Sequence, residues 1–171
     1  ESSAEPWRYY TDLSLWDSFR TTHPWFALAD HAVARDCLRS LMAMFEVGGV
    51  MTRWPAALSY TGGMIGSSAD FLFAEGALKG IDGIDYDAAF DALMVHAMGD
   101  PLDNSFLNGR GSMEAYLEHG FLPADVTDES VARTLEYVYA DAALGLMATH
   151  LGRTEAAELN ERGRNWRLLL H

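Results

Sequence analysis

Apolar positions recur every three or four residues along most of the chain, and no stretch alternates long enough to predict a strand pair. The opening stretch Ser14–His23 carries Leu15, Trp16 and Phe19 and stops at Pro24, which suits the first position of a second short helix holding Trp25, Phe26 and Leu28. Residues 30–47 place Ala34, Leu38, Leu41 and Phe45 on one face and close at Gly48-Gly49. A loop then runs from Val50 to Gly63. A helix from Met64 to Lys79 ends with a cation followed by Gly80. Asp85 caps the next helix, whose Phe90, Leu93, Met94 and Ala97 form one face, and Asp100-Pro101 ends it. Residues 101–112 read as loop with Asn104 and Asn108, 112–118 as a short helix, and 120–123 as a turn. The longest helix, 128–150, is apolar on nearly every side and is expected in an inner layer, buried on both faces. A last helix, capped by Thr154, presents Leu159, Gly163 and Trp166.

About seven helices with short and long connections make an all-α chain of helical hairpins. Such hairpins stack as a solenoid or curl into an α/α toroid, and the pattern does not separate the two. The 171 residues suffice for one domain with a core. Carboxylates number 25 against 12 Lys and Arg, a net charge of −13 that repels nucleic acid. The single Cys37 cannot form an internal disulfide and is expected as a buried inert thiol. No run of 18 apolar residues predicts a membrane span, and no signal peptide is visible. The chain starts at Glu1 without a methionine, which reads as processing or truncation.

Ser14-Leu15-Trp16-Asp17-Ser18-Phe19-Arg20-Thr21-Thr22-His23-Pro24 concentrates the candidate chemistry. A flat ring beside a carboxylate and a guanidinium suits a sugar, which has apolar C–H faces rimmed by hydroxyls. The stretch resembles the S-L-W-D-x-x-R-x-x-H-P segment of glycoside hydrolase family 92, the calcium-dependent exo-acting α-mannosidases. Further blocks follow in order. Gly48-Gly49-Val50-Met51-Thr52-Arg53-Trp54 is similar to G-G-x-L-P-R-W, Thr61-Gly62-Gly63-Met64-Ile65-Gly66 to T-x-x-M-I-G, and Lys79-Gly80-Ile81 to K-G-I. Gly120-Phe121-Leu122-Pro123 is similar to G-Y-x-P, and Ser130–Tyr137 with Asp141 to S-V-S-R-T-L-E-Y and a later aspartate. Departures are Ser67 and Ser68, where the family has a polar residue and a histidine, Thr52 for a proline, and Ala77 for an aromatic. Small residues at those places are expected to alter a pocket wall or a helix contact.

The resemblance implies that residues 1–171 are part of an (α/α)6 toroidal catalytic domain, about half of the ring. The rest of that domain and a β-rich N-terminal domain would be the chain's partners, together with a mannose-containing glycan. It also implies calcium, whose ligands are expected outside this chain, and a periplasmic or extracellular location. The general acid, in an E-G-x-x-x-Q-Y-like motif, and the general base, in a G-N-x-D-x-G-like segment, have no match here, so no residue of this chain is assigned as catalytic.

Trp16, Asp17, Arg20, Arg53 and Trp54 are the candidate substrate-binding residues. Asp17 either accepts hydrogen bonds from mannose hydroxyls or pairs with Arg20 three residues on. Trp16 stacks on a sugar face or fills core, and Arg20 orients Asp17. His23 precedes a proline, so its backbone is expected to be extended, with its ring capping a helix or touching sugar. Arg53 and Trp54 lie in a loop at a helix end, where α/α toroids build their sites. Glu136 is expected to pair with Arg133, Tyr137 to bond Asp141, and Glu75 to pair with Lys79 on a solvated face. His31, His96, His119, His150 and His171 show no metal-ligand spacing. Three functions fit: a section of an inverting exo-α-mannosidase that is inactive by itself, a non-catalytic helical scaffold binding a protein partner, or another α/α-toroid glycosidase of trehalase type.

Overall fold

Among the described residues, two helices begin at a side-chain cap and four end at a left-handed glycine. The computed structural model describes residues 6–57, 59–99 and 110–170, and the expected helix stop at Asp100-Pro101 and the loop 101–109 lie outside them. Eight α-helices occur among the described residues: α1 Leu15–Ser18, α2 Thr22–Ala29, α3 His31–Gly48, α4 Ala69–Lys79, α5 Tyr86–Ala97, α6 Met113–His119, α7 Ser130–Leu151 and α8 Ala156–Arg162. A 3-10 turn, Asn165–Leu169, follows. Asp30 Oδ1 accepts the Val33 N–H at the start of α3, and Asp85 Oδ1 accepts the Ala88 N–H at the start of α5. Gly49 and Gly80 end α3 and α4 in left-handed conformation, where only glycine lacks the Cβ penalty.

Four boundaries differ from the periodic reading. The helix expected from Met64 starts at Ala69, because Met64 and Gly66 take positive φ values of 59° and 79° that a helix cannot hold. His23, expected in extended backbone, is the second residue of α2, and Pro24, expected at its first position, is the third. Proline is tolerated there because a first-turn N–H has no intrahelical acceptor. Thr154 caps nothing; the last helix begins after Glu155 and yields to the 3-10 turn beyond Gly163. The loop after α3 also contains a two-residue antiparallel pair, β1 Pro55–Ala56 with β2 Ser59–Tyr60, too short to leave a sequence pattern.

α7 is the axis of packing, with α4 and α8 against its two sides. The approach to α8 is close: a Cβ on Gly163 would lie 2.9 Å from Ala142, and one on Gly145 2.9 Å from the Asn160 backbone nitrogen. Leu15, Leu41, Phe73, Phe90, Leu93, Leu144 and Met147 form the main core. Each contributes about 1.5–3 kcal/mol by leaving water. A second cluster of Met113, Tyr116, Leu122, Tyr137 and Val138 fixes α6 on the N-terminal half of α7. The expectation that α7 is buried on both sides fails on one stripe: Val131, Leu135, Tyr139 and Leu146 are 56, 45, 56 and 55% exposed. That stripe has no covering element among the described residues. Cys37 is buried and free, its thiol pushed up to about 11 by burial and by Asp36.

The extended segment before α1 is strapped to α3, with the Arg8 N–H on Asp36 and the Tyr10 N–H on Ser40 Oγ. This strap, the Thr11 hydroxyl bond to the Ala57 carbonyl and the Asp12 bond to the Ala57 N–H set where α1 sits.

Candidate functional site

Trp16 and Arg20 share the helical face that their spacing of four predicts. The Arg20 guanidinium carbon lies 4.5 Å from the Trp16 ring centre and 4.6 Å from that of Phe19. Arg20 Nε also donates to the Trp16 carbonyl at 3.1 Å. The carboxylate they gather around is not Asp17. Glu136, on the second turn of α7, accepts the Trp16 indole N–H on Oε1 at 3.2 Å, and Arg20 Nη2 lies 3.8 Å from the same oxygen. Asp17 is exposed and makes no ion pair with Arg20, because Arg20 is turned away toward α7. The expected pairing of Glu136 with Arg133 is likewise absent. Arg133 points back along its own helix, donating to the Asp128 carbonyl and lying 3.9 Å from Glu129.

Glu136 Oε2 is shut off from solvent without a hydrogen-bond partner, against Gly66, where a Cβ would stand 2.9 Å away. Burial raises the pKa of Glu136, and the Trp16 bond and the Arg20 charge pull the other way. On its outer side, Trp16 joins Met64, Ile65, Glu129, Ala132 and Arg133 around an open depression of about 460 Å3.

Arg53 is buried beneath this region, and its pKa is lowered by burial and by the neighbouring Arg133, with Tyr137 acting in the opposite sense. Its loop is anchored by the Met51 N–H, which donates to the buried His96 Nε2 at 3.0 Å. Trp54 lies over Gly63, whose Cβ would come within 3.1 Å of the indole, and its carbonyl accepts from Thr61. The structure thus brings Trp16, Arg20 and Arg53 to the N-terminal half of α7 and leaves Asp17 and Trp54 at its margins. His23 is buried against Phe26, its pKa lowered to about 4 by burial, so it is a core residue that caps no helix and borders only a small void between Ala27, Leu38 and Leu72.

A second polar group lies deep in the fold. Arg110 donates to Asp141 at 2.8 Å and to Asp70 at 2.6 Å, and all three are buried. Arg162 grips both oxygens of Asp141 at 2.9 and 3.0 Å and also donates to the Ala97 carbonyl, and the Tyr116 hydroxyl adds a 2.8 Å bond to Asp141. Asp141 is therefore saturated by two guanidiniums and a phenol. Tyr137, its expected partner, donates instead to the Gly111 carbonyl. Burial alone would lower the Arg110 pKa, but Asp70 and Asp141 hold it above the usual range. Burial pushes Asp70 up to about 6 against the pull of Arg110. Sequence reading missed Asp70, Arg110, Tyr116 and Arg162. Only a charged residue inside an apolar helical face, as Asp70 is within α4, could have pointed to them. The two carboxylates and two guanidiniums cancel, and every Asp141 oxygen is bonded, so the group braces α4, α6, α7 and α8 and offers no free ligand. Among the described residues no three His, Cys, Asp or Glu side chains gather as a metal site.

A family model for the glycosyl hydrolase family 92 catalytic domain matches residues 1–171. The chain belongs to glycosyl hydrolase family 92. A family 92 inverting mannosidase from Bacteroides thetaiotaomicron superposes with a TM-score of 0.87 at 31% identity, covering 95% of this chain and 22% of that one. A second family 92 α-mannosidase of that bacterium, solved in complex with mannoimidazole, gives 0.87 at 32% identity over 98% of this chain and 21% of its own. A protein of Arthroderma benhamiae described as an uncharacterized secreted glycosidase is 34% identical over 113 residues, 61% of this chain and 14% of its own length. The chain therefore spans about a fifth of the solved relatives, and its hairpins are a section of the helical toroid of family 92 catalytic domains. Within that family pattern, Ser67 and Ser68 are buried, and the Ser67 hydroxyl donates to Asp70 at 3.2 Å. Glu75 and Lys79 form the expected pair at 2.6 Å.

Proposed function

We propose that the full-length parent of this chain is an inverting exo-α-mannosidase and that this section supplies one wall of its sugar site. The observation that carries the reading is the agreement of the whole 171-residue length with the family 92 catalytic domain and with two mannosidase structures at a TM-score of 0.87. Inversion needs an acid and a base carboxyl about 6.5–9.5 Å apart, with a water between base and sugar. No pair in this chain is assigned to those roles, since Asp70 and Asp141 are locked by arginines and Glu136 by Trp16. What the chain offers is binding. The Trp16 ring supplies an apolar face, Arg20 a set of donors, and Asp17 an exposed carboxylate able to accept from sugar hydroxyls. Arg53 and Trp54 support the neighbouring loop.

Calcium belongs to this reading as a cofactor. The acidic residues of this chain are held by arginines or scattered among the described residues, so they do not fit its ligand set. Secretion to the periplasm or the outside is proposed from the secreted relative. The apolar stripe of α7 is the surface that the remaining helices of the catalytic domain would cover.

The test is made in the parent enzyme with mannobiose and an aryl α-mannoside. Trp16→Ala and Asp17→Ala are each expected to lower kcat/KM by about 10–100-fold, in the range of one or two lost binding contacts, with an unchanged circular dichroism spectrum. The isolated chain is expected to turn over neither substrate. Unaltered kinetics in both variants, or unfolding as the only effect, would favour the scaffold reading.

A further inference from the structure

We infer that Glu136 is a positioning residue of the sugar site: its carboxylate ties the edge of the Trp16 indole and steadies Arg20, so that one face of the ring is held toward the depression beside it. This rests on the mannosidase reading and deepens it. Two contacts meet on one oxygen, and a third joins their partners. Oε1 accepts the indole N–H at 3.2 Å, it lies 3.8 Å from Arg20 Nη2, and Arg20 in turn covers Trp16 at 4.5 Å from the ring centre. Arg20 lines a groove of about 440 Å3 with Phe19, Phe71 and Tyr139, while Trp16 lines the depression with Met64, Ile65 and Arg133. Arg20 thus belongs to the groove and Trp16 to the depression. One face is taken by the guanidinium and the edge by Glu136, which leaves the other face to a ligand.

A bracing role in the fold accounts poorly for this arrangement. The ion pair is long and its Arg20 side is 46% exposed, so it adds little stability. Oε2 is buried without a hydrogen bond, which costs stability instead of adding it. Gly66 comes so close that no larger residue fits beside Oε2 without displacing the carboxylate. An apolar side chain at position 136 would pack there at lower cost, but it would leave the indole N–H without its acceptor and Arg20 held only from its own segment, by the Trp16 carbonyl and the two rings. What the glutamate provides is a fixed direction for a ring on a helix of only four residues.

The experiment uses the full-length parent and measures mannobiose hydrolysis together with the indole 15N–1H resonance of Trp16. Glu136→Ala is expected to raise KM about tenfold, as for one lost charge-assisted hydrogen bond, to change kcat by less than about threefold, and to move the Trp16 resonance. Glu136→Gln keeps an oxygen acceptor for the indole and is expected to recover most of that KM and the resonance position. In a Trp16→Phe background, Glu136→Ala is expected to add little, because the bond through which it acts is already gone. Additive effects in that cycle, equal losses in the Ala and Gln variants, or a Trp16 resonance unmoved by Glu136→Ala would each overturn the inference. A parent inert toward all α-mannosides would overturn the mannosidase reading alone, since the resonance shift and its rescue are read without turnover.

Discussion

Residue chemistry in this chain depends on which partner arrives from far along the sequence. Trp16 and Arg20 were legible as a pair because a spacing of four sets them on one helical face. Their carboxylate was not, because Glu136 follows 120 residues after Trp16 and no local rule connects them. Asp17 was the nearer candidate and proved exposed. His23 shows the same limit: beside Asp17 and Arg20 it reads as site chemistry, yet it lies in the core. Its depressed pKa has a consequence for stability. Below its unfolded value of 6.5 the unfolded chain takes up a proton that the folded state refuses until about pH 4. Stability from His23 is therefore complete above about pH 6.5 and lost as pH falls toward 4, by about 3 kcal/mol in all. Asp70, raised to about 6, works in the opposite direction over part of that window, so the comparison must be between variants. Denaturant melts of the parent from pH 7 to pH 4 are expected to fall less for His23→Leu than for wild type. Parallel pH curves would show that His23 does not carry the effect.

At the scale of elements, capping and glycine stops located α3 and the start of α5 almost to the residue, since Asp30, Asp85 and Gly49 act within one turn. α4 was begun five residues early, at Met64 rather than Ala69, because positive φ at Met64 and Gly66 leaves no trace in hydrophobic periodicity. What joins the elements was less legible still. Asp141 lies on the same helix as Tyr137, and that proximity suggested a bond. The structure instead gives Asp141 to Arg110, Tyr116 and Arg162, on three other segments. Removing one member of such a buried set leaves charge without compensation. Asp141→Ala is expected to destabilise the parent by about 3–5 kcal/mol, against less than about 0.5 for the solvated Lys79→Ala. Urea titration of both variants checks this, and a loss below 1 kcal/mol for Asp141→Ala would remove the bracing role.

The whole molecule carries an apolar surface that its helix pattern explains only in part. α7 was expected to be covered on every side because it is apolar on every side. α4 and α8 cover two flanks, and the stripe through Val131, Leu135, Tyr139 and Leu146 stays open. It borders a groove of about 440 Å3 with Phe19, Phe71 and Leu78. Exposed apolar patches of this kind drive association. The isolated chain is expected to self-associate and bind an apolar dye despite its charge of −13. Leu146→Glu is expected to shift it toward monomer in sedimentation velocity. Monodisperse wild-type chain without dye binding would show that the stripe is not an association surface.

Helical periodicity, caps and ordered motif blocks determined by themselves that this chain is all-α, where its main helices run, and which family it resembles. Those properties rest on contacts within a turn or two and on residue identity, both of which the sequence states directly. Tertiary structure alone decided which charges meet. It placed Glu136 under Trp16, took Asp141 into an arginine clamp, buried His23 and left one face of α7 bare. Such pairings depend on how helices dozens of residues apart pack, and spacing along a single helix carries no record of its neighbours.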